Sequence, residues 1–167
     1  GRIWAHNHEA GNTDAPRRDR AIAIAALVKA RGIIGRPNRF EEYKPYGRTK
    51  DGSDGGSMDY GPSLEDAYEE VEKIEGPADR AETLLAIAEA ELVNREQAQY
   101  DISPVERLQE VRDCLKDIDD DEIKARLLVA VARVEHAMQE KGTDEVNAIK
   151  TLDEAAKIIR AMPASKM

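Results

Sequence analysis

Apolar residues recur three and four positions apart along much of this chain. Leu64, Ala67, Val71 and Ile74 are spaced to form one stripe on a helix. Leu108, Val111, Leu115 and Ile118 repeat that spacing 44 residues later, and Leu152, Ala155, Ile159 and Met162 repeat it again. The same shift lays "AETLLAIAEAELV" (81–93) on "ARLLVAVARVEHA" (125–137), pairing Ala81 with Ala125, Leu84 with Leu128, Ile87 with Val131 and Ala88 with Ala132. The pattern predicts a unit of two helices, copied over 63–106 and 107–150, with a half copy from Thr151. Leu84, Leu85, Ile87, Leu115, Ile118, Leu127, Leu128, Val131, Leu152 and Ile159 are the expected core.

Helix boundaries carry their own chemistry. Pro62-Ser63 and Ser103-Pro104 read as helix starts, and Ser103 with Glu106 reads as a capping box that puts Pro104 first in its helix. Gly76-Pro77 and Asp119-Asp120-Asp121 divide the two helices of each unit, since Asp is a favoured N-cap. Gly142 followed by Thr143-Asp144-Glu145 is expected to start the last helix, and Pro163 to close it.

The first third fits the same scheme once an insertion is allowed. "AIAIAALV" (21–28) echoes "AIAEAELV" (86–93) at a spacing 21 residues longer than the repeat. The chain therefore divides into an irregular N-terminal arm (1–16), a helix of an incomplete first repeat (17–34), a Gly-rich, aromatic and basic loop (35–62) and a helical-repeat domain (63–167).

Helical hairpins at this period resemble the α-solenoid class, which includes tetratricopeptide-like and HEAT-like repeats. The resemblance spans 63–162 and, more loosely, 17–32. The Trp, Gly, Tyr and Pro pattern of the tetratricopeptide repeat is missing, so no functional residue carries over. The resemblance implies an all-α fold, a short solenoid or compact bundle, and use as a scaffold.

Composition narrows the function. A length of 167 residues suits one domain, and 4% aromatic against 35% charged residues means a core of Ala, Leu, Ile and Val. The net charge of −9 is uneven: residues 1–62 hold 11 Lys/Arg against 8 Asp/Glu, and residues 63–167 hold 14 against 26. The acidic body argues against general binding to nucleic acid or anionic membranes. A lone cysteine, Cys114, rules out an intrachain disulfide, and the apolar runs are too short to span a bilayer. No signal peptide is read, and a cytoplasmic location is expected, although a chain opening on Gly1 leaves room for an upstream segment.

No catalytic, cofactor or metal set is read. His6, His8 and Glu9 have the right donors for zinc or nickel, but a His-x-His pair needs a strand or turn to converge, and a mobile polar terminus is the plainer reading. His136 aligns with Leu92 and is expected to pack on a partly buried face, and Cys114 is expected to be a packing thiol beside Val111 and Leu115. "DGSDGGSMD" (51–59) fails the calcium-loop pattern at Gly55 and Pro62, and "DDDE" (119–122) reads as a helix N-terminus. The remaining Glu and Asp are expected on solvated faces.

The informative stretch is "RPNRFEEYKPYGRTK" (36–50). It gathers Arg36, Arg39, Lys44, Arg48 and Lys50 with Phe40, Tyr43 and Tyr46; with Trp4 and Tyr60, five of the seven aromatics fall in the first 62 residues. Tyr, Trp and Arg are favoured interface anchors. The expectation is a non-catalytic interaction or assembly subunit whose arm docks on a protein partner or another copy through Trp4, Arg36, Arg39, Phe40, Tyr43, Tyr46 and Arg48. A nucleic-acid-binding accessory protein using 36–50 is the first alternative, and a small metal-dependent enzyme using His6, His8 and Glu9 the second.

Overall fold

A computed structural model of the chain describes residues 2–34, 61–94 and 103–163, with the side chains of the first segment described from residue 13. Among these residues the fold is all-α, with no strand. Six helices follow in order: α1 (Arg2–Ile34), α2 (Leu64–Lys73), α3 (Pro77–Val93), α4 (Pro104–Leu115), α5 (Asp121–Glu140) and α6 (Ala148–Ala161). Long helices alternate with short ones.

The caps explain where these helices begin. Ser103 Oγ accepts from the Glu106 N–H at 3.1 Å while the Glu106 carboxylate accepts from the Ser103 N–H at 2.8 Å, closing the expected box at α4. Asp120 accepts from the Glu122 and Ile123 N–H groups and caps α5. The N-cap of α3 is Gly76, which has no side chain to offer. Asp14 of α1 supplies the acceptor instead, taking the N–H groups of Glu75 at 3.2 Å and Gly76 at 2.8 Å. That carboxylate also meets the positive end of the helix dipole.

Two boundaries differ from the sequence reading. The helix expected from residue 17 is helical from Arg2, running through Pro16, so the backbone over 2–16 is not irregular. Proline removes one backbone donor inside a helix, and for that reason it reads as a boundary. At the other end, α6 starts at Ala148 rather than near Thr143. Gly142, at φ +100°, ends α5 instead: its N–H reaches the Gln139 carbonyl and the Thr143 N–H the Met138 carbonyl, both at 3.0 Å. This is the Schellman pattern, with glycine taking the left-handed position. Asn147 then caps α6 through the Lys150 N–H at 3.1 Å.

Each long helix packs extensively against the short helix that follows it, giving the pairs α1–α2, α3–α4 and α5–α6. The pairs α2–α3 and α4–α5, which the sequence reading joined into units, touch only slightly. Helix α3 is central and also packs along α1 and α5. The shared core takes Val28 from α1, Leu64 and Val71 from α2, Leu84 and Ile87 from α3, Leu108 and Val111 from α4, and Leu128, Val131 and Met138 from α5.

Of the ten expected core residues, Leu152 and Ile159 are not in it; they are 45% and 53% exposed. Helix α6 turns Ala148, Thr151 and Ala155 inward, one face only. Its counterpart α4 is covered on two faces, so the aligned Leu108 and Leu115 are buried.

Helices α1 and α3 meet closely at one point. A Cβ placed on Gly32 would stand 2.5 Å from the Val93 carbonyl oxygen, a backbone atom that cannot swing aside. Gly32→Ala is expected to lower stability by about 1–3 kcal/mol, the overpacking outweighing a helix-propensity gain of about 1 kcal/mol. Urea denaturation checks this; a stabilised variant would place the two backbones further apart.

Candidate functional site

The charged and polar side chains of the body do not lie only on solvated faces, as expected, but form two buried ties between helices. In the first, Glu91 of α3 is buried at 1% exposure and Arg107 of α4 at 3%. Arg107 donates through Nη2 to Glu91 Oε2 at 3.2 Å and through Nε to Oε1 at 3.4 Å, and Nη1 reaches Glu110 at 2.8 Å. The Tyr68 hydroxyl of α2 donates to Glu91 Oε2. The guanidinium also lies 4.8 Å from the centre of the Tyr68 ring, within cation–π range. Burial alone would lower the Arg107 pKa; the hydrogen bonds and charge of Glu91, with Glu110 beyond, outweigh it and the net direction is upward.

The second tie uses the same positions 44 residues later. Glu135 of α5 is buried, and the Thr151 hydroxyl of α6 donates to its Oε1. Arg112 of α4 donates through Nη2 to Thr151 Oγ1 at 2.7 Å, lies 3.8 Å from Glu135 Oε2, and pairs with Glu154 at 3.2 Å. Glu91 aligns with Glu135, Tyr68 with Arg112, and Arg107 with Thr151. A glutamate on the long helix is thus held in both ties, while cation and hydroxyl change sides. The arrangement cross-links consecutive helices, and its acceptors face donors of the protein itself.

Glu135 has a pH signature. Burial raises its pKa above the ordinary 4.5; the Thr151 bond and Arg112 charge pull it down, and Glu154 adds to the rise. The folded state therefore holds this proton more tightly than the unfolded chain. The stability it contributes is fully present below the unfolded value and is lost as pH rises through the folded one. Glu135→Gln, which cannot ionise, should match the wild type most closely below pH 4.5 and gain on it steadily above. Thermal midpoints of both proteins across that range check this, and a difference independent of pH would contradict it.

The basic character of the first third is partly spent inside the protein. Arg18 pairs with Asp79 at 2.8 Å, Arg20 with Glu70 at 2.7 Å, Arg17 with Glu70 at 3.5 Å and Lys29 with Glu89 at 2.8 Å. These pairs hold α1 to α2 and α3.

Two helix faces carry bare apolar side chains. On α6 these are Ile149, Leu152 and Ile159, at 72%, 45% and 53% exposure, with the half-buried Ala156 between them. On α1, Ala23, Ala26, Leu27, Ala30, Ile33 and Ile34 are exposed.

Other expected features resolve one by one. Cys114 is buried among apolar neighbours and burial pushes its thiol pKa up, as suits a packing role. His136 is exposed instead of packed, with Nε2 3.3 Å from Glu140 Oε2. The backbone at His6, His8 and Glu9 is helical, rather than the strand or turn that pair would need; their side chains and that of Trp4 lie outside the described residues. Arg36, Arg39, Phe40, Tyr43, Tyr46 and Arg48 lie outside them entirely. Among the described residues no helix is long and apolar enough to cross a membrane, and no three His, Cys, Asp or Glu side chains gather as a metal site.

The two buried glutamates were legible in outline. Glu91 follows Leu84 and Ile87 at spacings of three and four, and Glu135 follows Leu128 and Val131 in the same way, so each sits on an apolar face. No protein-family model, curated protein or solved structure matches this chain.

Proposed function

We propose that the chain is a non-catalytic protein–protein interaction or assembly subunit. Its helices act as a short repeat scaffold of the α-solenoid kind, and residues 36–50 serve as an additional docking element through Arg36, Arg39, Phe40, Tyr43, Tyr46 and Arg48. The observation that carries this reading is a division of labour. The buried ionisable groups are committed to ties between helices, whereas large apolar side chains on α6 are left bare. Bare isoleucine and leucine along one helix stripe mark a surface for another protein.

The experiment is retrieval from lysate of the source with the immobilised full chain, beside a Leu152→Glu/Ile159→Glu variant and a deletion of 36–60. A protein, or the chain itself, held in stoichiometric amount by the full chain and lost from a variant is expected. Salt-sensitive recovery of RNA or DNA, or turnover of a small substrate that survives both changes, would overturn the reading.

A further inference from the structure

The two bare faces are counterparts. On α2, the stripe Leu64, Tyr68 and Val71 is buried or half-buried, and Tyr68 meets Glu91 of the following long helix α3. On α4, the aligned stripe Leu108, Arg112 and Leu115 is covered too, with Arg112 reaching Glu135 of the following long helix α5. On α6, the aligned stripe is Leu152, Ala156 and Ile159, and no described helix follows it. The complementary face of the long helices behaves in the opposite sense. Ala88 and Glu91 of α3, and Ala132 and Glu135 of α5, are buried; the aligned Ala23 and Ala26 of α1, which no described helix precedes, are exposed. So α6 carries the covered side of a junction without its cover, and α1 carries a cover with nothing beneath it.

The tie positions change together. Each internal junction places a glutamate on the long helix against Tyr68 or Arg112 on the short one. At the bare faces both positions are alanine: Ala26 stands where Glu91 and Glu135 stand, and Ala156 where Tyr68 and Arg112 stand. A glutamate at 26 would lack its tie partner, and an arginine at 156 would lack its acceptor. Two alanines facing each other leave no polar group to satisfy.

We infer that copies of this chain associate head to tail, the α6 stripe Ile149, Leu152, Ala156 and Ile159 seating on the outer face of α1, at Ala23, Ala26, Leu27 and Ala30, of a second copy. This junction would extend the internal stacking by one step. It is heterologous, so each copy keeps one free face and the assembly grows with concentration instead of stopping at two. The inference rests on the interaction reading above and names the partner.

The test uses the purified full-length chain in sedimentation velocity and equilibrium, with circular dichroism as the check on folding. The wild type is expected to form a concentration-dependent series of species. Ala26→Glu and Ala156→Arg should each weaken association about tenfold or more, because each buries one unpaired charge. Both sites are exposed or half-buried in the single copy, so helical content should hold. The chain carrying both changes rebuilds the Arg112–Glu135 tie between copies and should regain most of the association. An equimolar mixture of the two single variants should grow as an alternating series, because the two substituted faces meet at one junction and the two unsubstituted faces meet at the next. A wild type that stays monomeric at every concentration overturns the inference, and so does a double variant as weak as the singles. An Ala26→Glu chain that associates like the wild type also overturns it, since two α6 faces would then be pairing. Lost helicity in Ala156→Arg would overturn it too, by showing that the stripe is covered within one copy. A monomeric chain that still retrieves another protein through α6 would leave the interaction reading standing and remove only the head-to-tail step.

Discussion

Arg107→Ala is expected to cost about 3–5 kcal/mol, a large share of the stability of a chain this size. Truncation leaves Glu91, buried at 1% exposure, hydrogen-bonded to the neutral Tyr68 hydroxyl and without the cation of the tie. A carboxylate stripped of its cation in such a site either stays charged at high cost or takes up a proton, and both routes destabilise the fold at neutral pH. The loss should appear as a lower urea midpoint with little change in slope. Replacing both partners, Glu91→Leu with Arg107→Met, should restore most of the stability, because an apolar pair of similar volume carries no desolvation penalty. A loss below about 1 kcal/mol for the single variant is what an exposed ion pair gives, and would mean that water reaches the tie.

The period of the apolar stripes located five of the six helices, because burial on one helix face imposes the spacing that was read. The caps were legible for a related reason: Ser103 and Asp120 satisfy backbone groups that every helix start leaves open, and Pro77 in the first turn of α3 has no N–H to satisfy. The pairing of helices was not legible. A shift of 44 residues marks equivalent positions, but it does not say whether a short helix packs on the long helix before it or the one after. That choice depends on contacts such as Glu91 with Arg107 and Glu135 with Thr151, each joining residues 16 apart in sequence across a connector. Glutamates were assigned to solvent by residue type, although Glu91 and Glu135 sit at apolar positions of the stripe. The face was the better guide than the residue.

Leu128→Ala and Leu152→Ala separate the stripe from the burial. The stripe treats both leucines as core, and an alignment alone would assign them equal cost. Leu128 is 4% exposed on α5 amid Val131, Val134 and other core side chains, so truncation leaves a cavity there. The expected loss is about 2–5 kcal/mol, depending on how far the neighbours relax into the gap. Leu152 is 45% exposed on the outer side of α6, where water replaces the removed methyl groups and no cavity forms. Its truncation should stay within about 0.5 kcal/mol, as for other surface positions. Both variants should be measured at a concentration where the wild type is dissociated, so that only the fold of a single copy is read. A large loss at Leu152 there would mean that α6 is covered on both faces, as α4 is, and a small loss at Leu128 would mean that α5 is not packed into the core.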